Sequence, residues 1–161
     1  MEKAKIHKIM NEICQNIGGD WLLLGGALVQ IEYDGERATE DIDLVFINHA
    51  DKSRETAQND LFKYTLGAWQ MGPEFINLSV EFFVNALDDW QSEIQVFKSG
   101  PSGRIFKPSL TLFCALKMNR ASELDINDIK TAIGHEGIEK CDMEKLKKWL
   151  SPSRLEMFKL L

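Results

Sequence analysis

The stretch Trp21-Leu22-Leu23-Leu24-Gly25-Gly26-Ala27-Leu28, followed after a loop by Arg37-Ala38-Thr39-Glu40-Asp41-Ile42-Asp43-Leu44, decides how this chain is read. Residues 21–24 form a short apolar run bounded by glycines, the pattern of a buried strand. Gly25-Gly26 then gives a turn into a short helix at 27–31, and residues 33–37 form a polar loop. A second strand is expected over 41–46. Two aspartates two positions apart on a strand share one face, with Ile42 and Leu44 on the other.

Outward from this centre, Ile6, Ile9, Met10, Ile13 and Ile17 repeat at helical spacing over residues 2–17, ended by Gly18-Gly19. Residues 53–62 read as a helix and 75–84 as a strong strand rich in β-branched and aromatic residues. A weaker strand at 94–98 and a turn lead into Ile105-Phe106. After Pro108-Ser109, helices are expected at 109–120, 125–133 and 142–150. These elements predict one α/β (α+β) domain spanning residues 1–161. It has a small mixed sheet flanked by helices, with a core at about 18–107 and a helical C-terminal part at about 108–161.

Composition narrows the function classes. The 161 residues carry 25 acids against 19 bases, a formal charge of -6, so the chain does not hold nucleic acid simply by being basic. Three dispersed cysteines without a CxxC pair suggest neither a disulfide framework nor a zinc knuckle, and Cys114 reads as core. The three histidines stand singly and are assigned no metal role. No apolar run is long enough for a membrane helix, and no signal-like segment opens the chain, so a cytoplasmic protein with no membrane partner is expected.

Asp41 and Asp43 repel each other unless a cation lies between them, and an all-oxygen donor set favours Mg²⁺ or Mn²⁺ over zinc. Glu81, in Val80-Glu81-Phe82, interrupts an apolar run and is the candidate third ligand. Gly25 and Gly26 let backbone amides approach a phosphate, and Arg37 and Lys117 can offset triphosphate charge. That set suits nucleotidyl transfer, in which metal ions bridge phosphates and activate a hydroxyl.

The same residues resemble the polymerase-β-like nucleotidyltransferase superfamily: Gly25-Gly26-Ala27-Leu28, Arg37-x-Thr39-x-Asp41-x-Asp43-Leu44 and Val80-Glu81-Phe82. A helix carrying Lys117 and an Asp125-x-x-Asp128 segment follow. The spacing is most similar to the branch that includes nucleotidyltransferase toxins of type IV toxin-antitoxin systems. The resemblance implies Asp41, Asp43 and Glu81 as Mg²⁺ ligands, with Glu81 departing from the commoner Asp. It implies nucleotide contacts from Gly25, Gly26, Arg37 and Thr39, Lys117 at the triphosphate, and Asp128, with Asp125, supporting that lysine or the acceptor.

The implied activity moves a nucleoside monophosphate from an NTP to an acceptor hydroxyl. For a toxin-like enzyme the acceptor is tRNA or a protein, with an antitoxin as partner. Six Lys or Arg against three acids over residues 140–159 form a modest basic face that equally fits a solvated helix surface. Residues 31–60 hold nine acids and three bases, which suits a small hydroxylated, cationic acceptor of the aminoglycoside or lincosamide type. A non-catalytic nucleotide- or partner-binding module of the same fold is the alternative from another class.

Overall fold

In a computed structural model describing residues 1–161, apart from the Trp69 side chain, the chain is a mixed α/β protein. Helix α1 (Lys3–Glu12) runs into a wider turn at Ile13–Ile17, which Gly18 ends with φ 83°. Then follow β1 (Gly19–Leu24), α2 (Gly25–Glu32), β2 (Ile42–Asn48), α3 (Arg54–Trp69), β3 (Ile76–Asn77) and α4 (Glu81–Asn85). The hairpin β4 (Ile94–Ser99) and β5 (Gly103–Pro108) precedes α5 (Leu110–Arg120), α6 (Glu123–Glu136), α7 (Met143–Trp149) and α8 (Pro152–Lys159). None of the helices is long and apolar enough to cross a membrane among the described residues.

The five strands order as β3-β2-β1-β5-β4. β1 is central, antiparallel to β2 and parallel to β5, while β3 joins β2 in parallel and β4 joins β5 antiparallel. Trp21, Leu22, Leu23 and Leu24 are all buried, as a strand covered on both faces requires. Trp21 packs edge-on against Phe46 at 5.2 Å, and its indole N–H donates to the Gly18 carbonyl at 2.9 Å, so no polar atom of the ring is left unpaired.

Hydroxyl and carboxylate side chains start five of the eight helices described. Ser53, Ser109 and Ser151 cap α3, α5 and α8, and Asp142 caps α7. Ser122 and Asp125 form a reciprocal capping box at α6. Cys114 lies in the core, as its position on the apolar face of α5 implies.

The expected strand over 75–84 is where the structure differs most. Only Ile76 and Asn77 pair with β2, and the Asn77 side-chain oxygen then accepts from the Ser79 backbone N–H at 3.0 Å and the Ser79 hydroxyl at 2.6 Å. That Asx-type turn diverts the chain out of the sheet, and residues 81–85 coil into α4. Strand propensity in Phe82, Phe83 and Val84 loses to a local side-chain bond. Helix α3 also runs seven residues past the expected end at 62, to Trp69, because Leu61 and Thr65 continue its buried stripe.

Candidate functional site

Two register positions build the centre of the site. Leu24, the last residue of β1, pairs with Asp43 on β2, and Asp43 in turn pairs with Asn77 on β3. Asp43 is therefore flanked on one side by the strand end that leads into Gly25. On the other side Asn77 donates a side-chain N–H to Asp43 Oδ1 at 2.7 Å. Gly25 has φ 67°, and a Cβ placed there would sit 1.7 Å from Asp43 Oδ2, so this position requires glycine twice over. Gly26 is packed as tightly, with the Thr39 hydroxyl 2.9 Å from where a Cβ would stand.

Asp43 lines a cleft of about 330 Å³ together with Gly25, Val80, Phe83, Phe113, Leu116, Lys117 and Arg120. Two turns of α5 deliver Lys117 to it. The ammonium is buried, 2.7 Å from Asp128 Oδ2 and 3.4 Å from Asp125 Oδ1 on α6. Arg37, in the loop before β2, reaches the same Asp128 oxygen at 2.7 Å, and Arg120 takes Asp125 in a two-pronged pair at 2.6 and 2.5 Å. Three cations and two carboxylates thus interlock α5, α6 and the loop after α2.

The electrostatics of the two ends differ. Burial and the nearby Asp41 charge push the Asp43 carboxyl up from its ordinary value, against the Asn77 hydrogen bond and the Lys117 and Arg120 charges. At Asp125 burial pushes the same way, but hydrogen bonds from Arg120 and Ser122 and the Lys117 charge outweigh it and hold the carboxyl well below the usual range. The sign of the pH dependence follows for each. Asp125 contributes stability above its unfolded value that is lost as pH falls. Asp43, with a raised folded value, costs stability once pH rises above about 3.9, the unfolded carboxyl value. Asp43→Asn is accordingly expected to unfold at a higher temperature than wild type at pH 7, the gain shrinking to nothing below about pH 4. A lower melting temperature at pH 7 in calorimetric scans would show that the Asp43 charge stabilises the fold instead.

Most of the residues expected at the site converge, with three differences. Thr39 is buried, and its hydroxyl donates to the Asp41 carbonyl at 3.0 Å, so it fixes the bend before β2 and packs Gly26. Asp41 lies in that bend, one residue before β2, and lines a second hollow with Glu40, Glu74 and Phe75 rather than the Asp43 cleft. Glu81 opens α4, where its carboxylate pairs with Arg54 of α3 and lines neither hollow. The expected three-acid metal site therefore does not form: among the described residues no group of three His, Cys, Asp or Glu is placed to hold an ion. Ejection of α4 from the sheet is the physical reason.

Sequence reasoning missed Asn77. Its role depends on the β2–β3 register and on the Ser79 turn, and an Ile-Asn pair inside an apolar run carries no signal of either. It also missed Phe83 and Arg120, whose places in the cleft follow from α4 being a helix and from Asp125 facing α5. Comparison of the chain with models of known families, with characterised proteins and with solved structures finds no match.

Proposed function

We propose that the chain is a metal-dependent nucleotidyltransferase of the polymerase-β-like type, moving a nucleoside monophosphate from an NTP to an acceptor hydroxyl. The observation that carries this reading is the convergence on one cleft of a positive-φ glycine at a strand-to-helix junction, a desolvated strand aspartate and a lysine held by two acids. Gly25 opens α2, whose first backbone N–H groups are free of helical partners and can meet a phosphate. Lys117 meets it as a point charge whose direction is set by Asp128 and Asp125.

The charges lining the cleft balance, Asp43 and Asp125 against Lys117 and Arg120. A triphosphate entering such a neutral site needs a cation of its own. Asp43 is the carboxylate in the cleft that fits Mg²⁺, since burial and Asp41 disfavour its ionised form and a cation would relieve both. Asn77, with its oxygen engaged by Ser79 and its N–H on Asp43, orients that carboxylate rather than binding an ion. The bound ion would supply Lewis-acid polarisation of the phosphates.

The test is incubation with each α-labelled NTP and Mg²⁺ against total tRNA, the protein itself and a panel of aminoglycosides and lincosamides. Label moving to one acceptor class in wild type and not in Asp43→Asn is the expected result, the variant remaining folded because the exchange removes a charge without changing volume. Equal transfer by Asp43→Asn would remove the metal role. A second reading, a nucleotide-binding module without turnover, draws on the pairing of Glu81 with Arg54, which leaves Asp43 without a third acid beside it. Mg²⁺-dependent NTP binding with no acceptor labelled would favour it.

A further inference from the structure

Helix α4 presents two adjacent phenyl rings, Phe82 and Phe83, 76% and 57% exposed, set edge to face at 5.5 Å. A single exposed apolar residue needs no explanation, but two adjacent exposed rings, one of them lining a cleft, are different. Their mounting is a relay of side chains. Arg54 pairs with Glu81, Asn85 donates to Glu81 at 3.5 Å, and the Trp90 indole donates to Asn85 at 3.2 Å. These bonds tie a five-residue helix to α3 at its start and to the turn before β4 at its end.

Phe83 lines the cleft that also holds Gly25, Asp43 and Lys117, and so do Leu116 and Asn119 from α5. Asn119 is exposed, and its amide makes no hydrogen bond among the described residues. The cleft is thus chemically mixed. It is lined by the glycine, the carboxylate and the cations and also by an exposed ring and an amide free to pair.

We infer that Phe83 is a stacking platform for the base of the bound nucleotide, with Asn119 hydrogen-bonding the base edge and Glu81 acting through Arg54 and Asn85 to hold the platform in place. The inference rests on the nucleotide reading above and deepens it. Base-on-aromatic stacking accepts any base because every base has a π-face, and truncating such a platform typically costs about 1–3 kcal/mol, or roughly 5- to 150-fold in affinity. An asparagine amide adds preference for adenine, whose adjacent acceptor and donor it matches. The phosphate contacts assigned to Gly25 and Lys117 do not involve the ring.

The experiment is calorimetric titration of the full chain with Mg²⁺-ATP and, separately, with Mg²⁺-tripolyphosphate, which carries the phosphates and no base. Phe83→Ala is expected to weaken ATP at least tenfold while leaving tripolyphosphate within about twofold. Phe83→Trp is expected to retain ATP within about threefold, since it keeps a ring. Glu81→Gln, which retains a hydrogen bond to Arg54 without the charge, is expected to bind ATP more weakly than wild type and tripolyphosphate equally. Wild-type ATP affinity in Phe83→Ala would overturn the platform and leave the nucleotide reading standing. Parallel loss of ATP and tripolyphosphate in that variant would overturn it too, by showing a structural collapse of the cleft. A wild-type chain that binds neither ligand would overturn both readings.

Discussion

Lys117→Met is expected to lower the unfolding temperature by on the order of 10 °C at pH 7. Lys117 is 8% exposed, and the acids it serves, Asp125 and Asp128, are 0% and 2% exposed. Removing one partner from a buried ionic cluster typically costs about 3–5 kcal/mol, because the remaining charge is left in a medium that solvates it poorly. In a chain of this size each kcal/mol moves the midpoint by about 2–4 °C. Arg37 and Arg120 each retain one acid, which limits the loss but does not replace the ammonium between the two carboxylates. Thermal unfolding followed by circular dichroism checks this. The double variant Lys117→Met/Asp128→Asn, set against the two single variants, measures how much of the loss is coupling between Lys117 and Asp128. A single variant melting within about 2 °C of wild type would mean that desolvation cancels the attraction throughout the cluster. Activity lost in Lys117→Met would be interpretable as a phosphate contact only at temperatures where the variant is folded.

Gly25→Ala is expected to damage the site more than the fold. The left-handed backbone at φ 67° costs an alanine about 1–2 kcal/mol, a few degrees in midpoint. The larger effect is steric. The new methyl would stand 1.7 Å from Asp43 Oδ2, so the carboxylate must leave its place beside Asn77. A misplacement of about 1 Å can cost a reaction about 100-fold, and a loss of that order in nucleotidyl transfer is expected. Combining Gly25→Ala with Asp43→Gly removes the clash and should be more stable than Gly25→Ala alone, although glycine inside β2 adds a cost of its own. Gly25→Ala with wild-type transfer would show that the Asp43 position does not matter to the chemistry.

The centre of the fold was legible because it is written locally. An apolar run of this length ending in two glycines reads as a buried strand entering a turn, and the alternation of Ile42, Asp43 and Leu44 marks which residues of the next strand meet the core. The starts of α3, α5, α6, α7 and α8 were equally local, each marked by a serine or aspartate. Arg37 and Asp128 lie 91 positions apart, and their pairing was beyond any window of sequence. Lys117 and Asp128 were associated through a resemblance rather than through spacing. Glu81 misled for a specific reason: its neighbours have strand propensity, yet the Asn77–Ser79 turn takes them out of the sheet, and the residue that reads as an interrupted strand acid is the first residue of a helix. The same turn placed Asn77, a polar residue of no evident importance in the sequence, against the aspartate at the centre of the cleft.

The parallel pairing of Gly19 with Gly103 and of Trp21 with Ile105 has a consequence during synthesis. Ribosomes add about 5–20 residues per second, so the central strand emerges several seconds before the strand that completes its second edge exists. Through that interval the Trp21–Leu24 run can pair with β2 on one side only, and its other edge is a template for any extended chain nearby. Release of the nascent protein before residue 108, by a stop codon or a stalled ribosome, should therefore yield an aggregating fragment rather than a partly functional one.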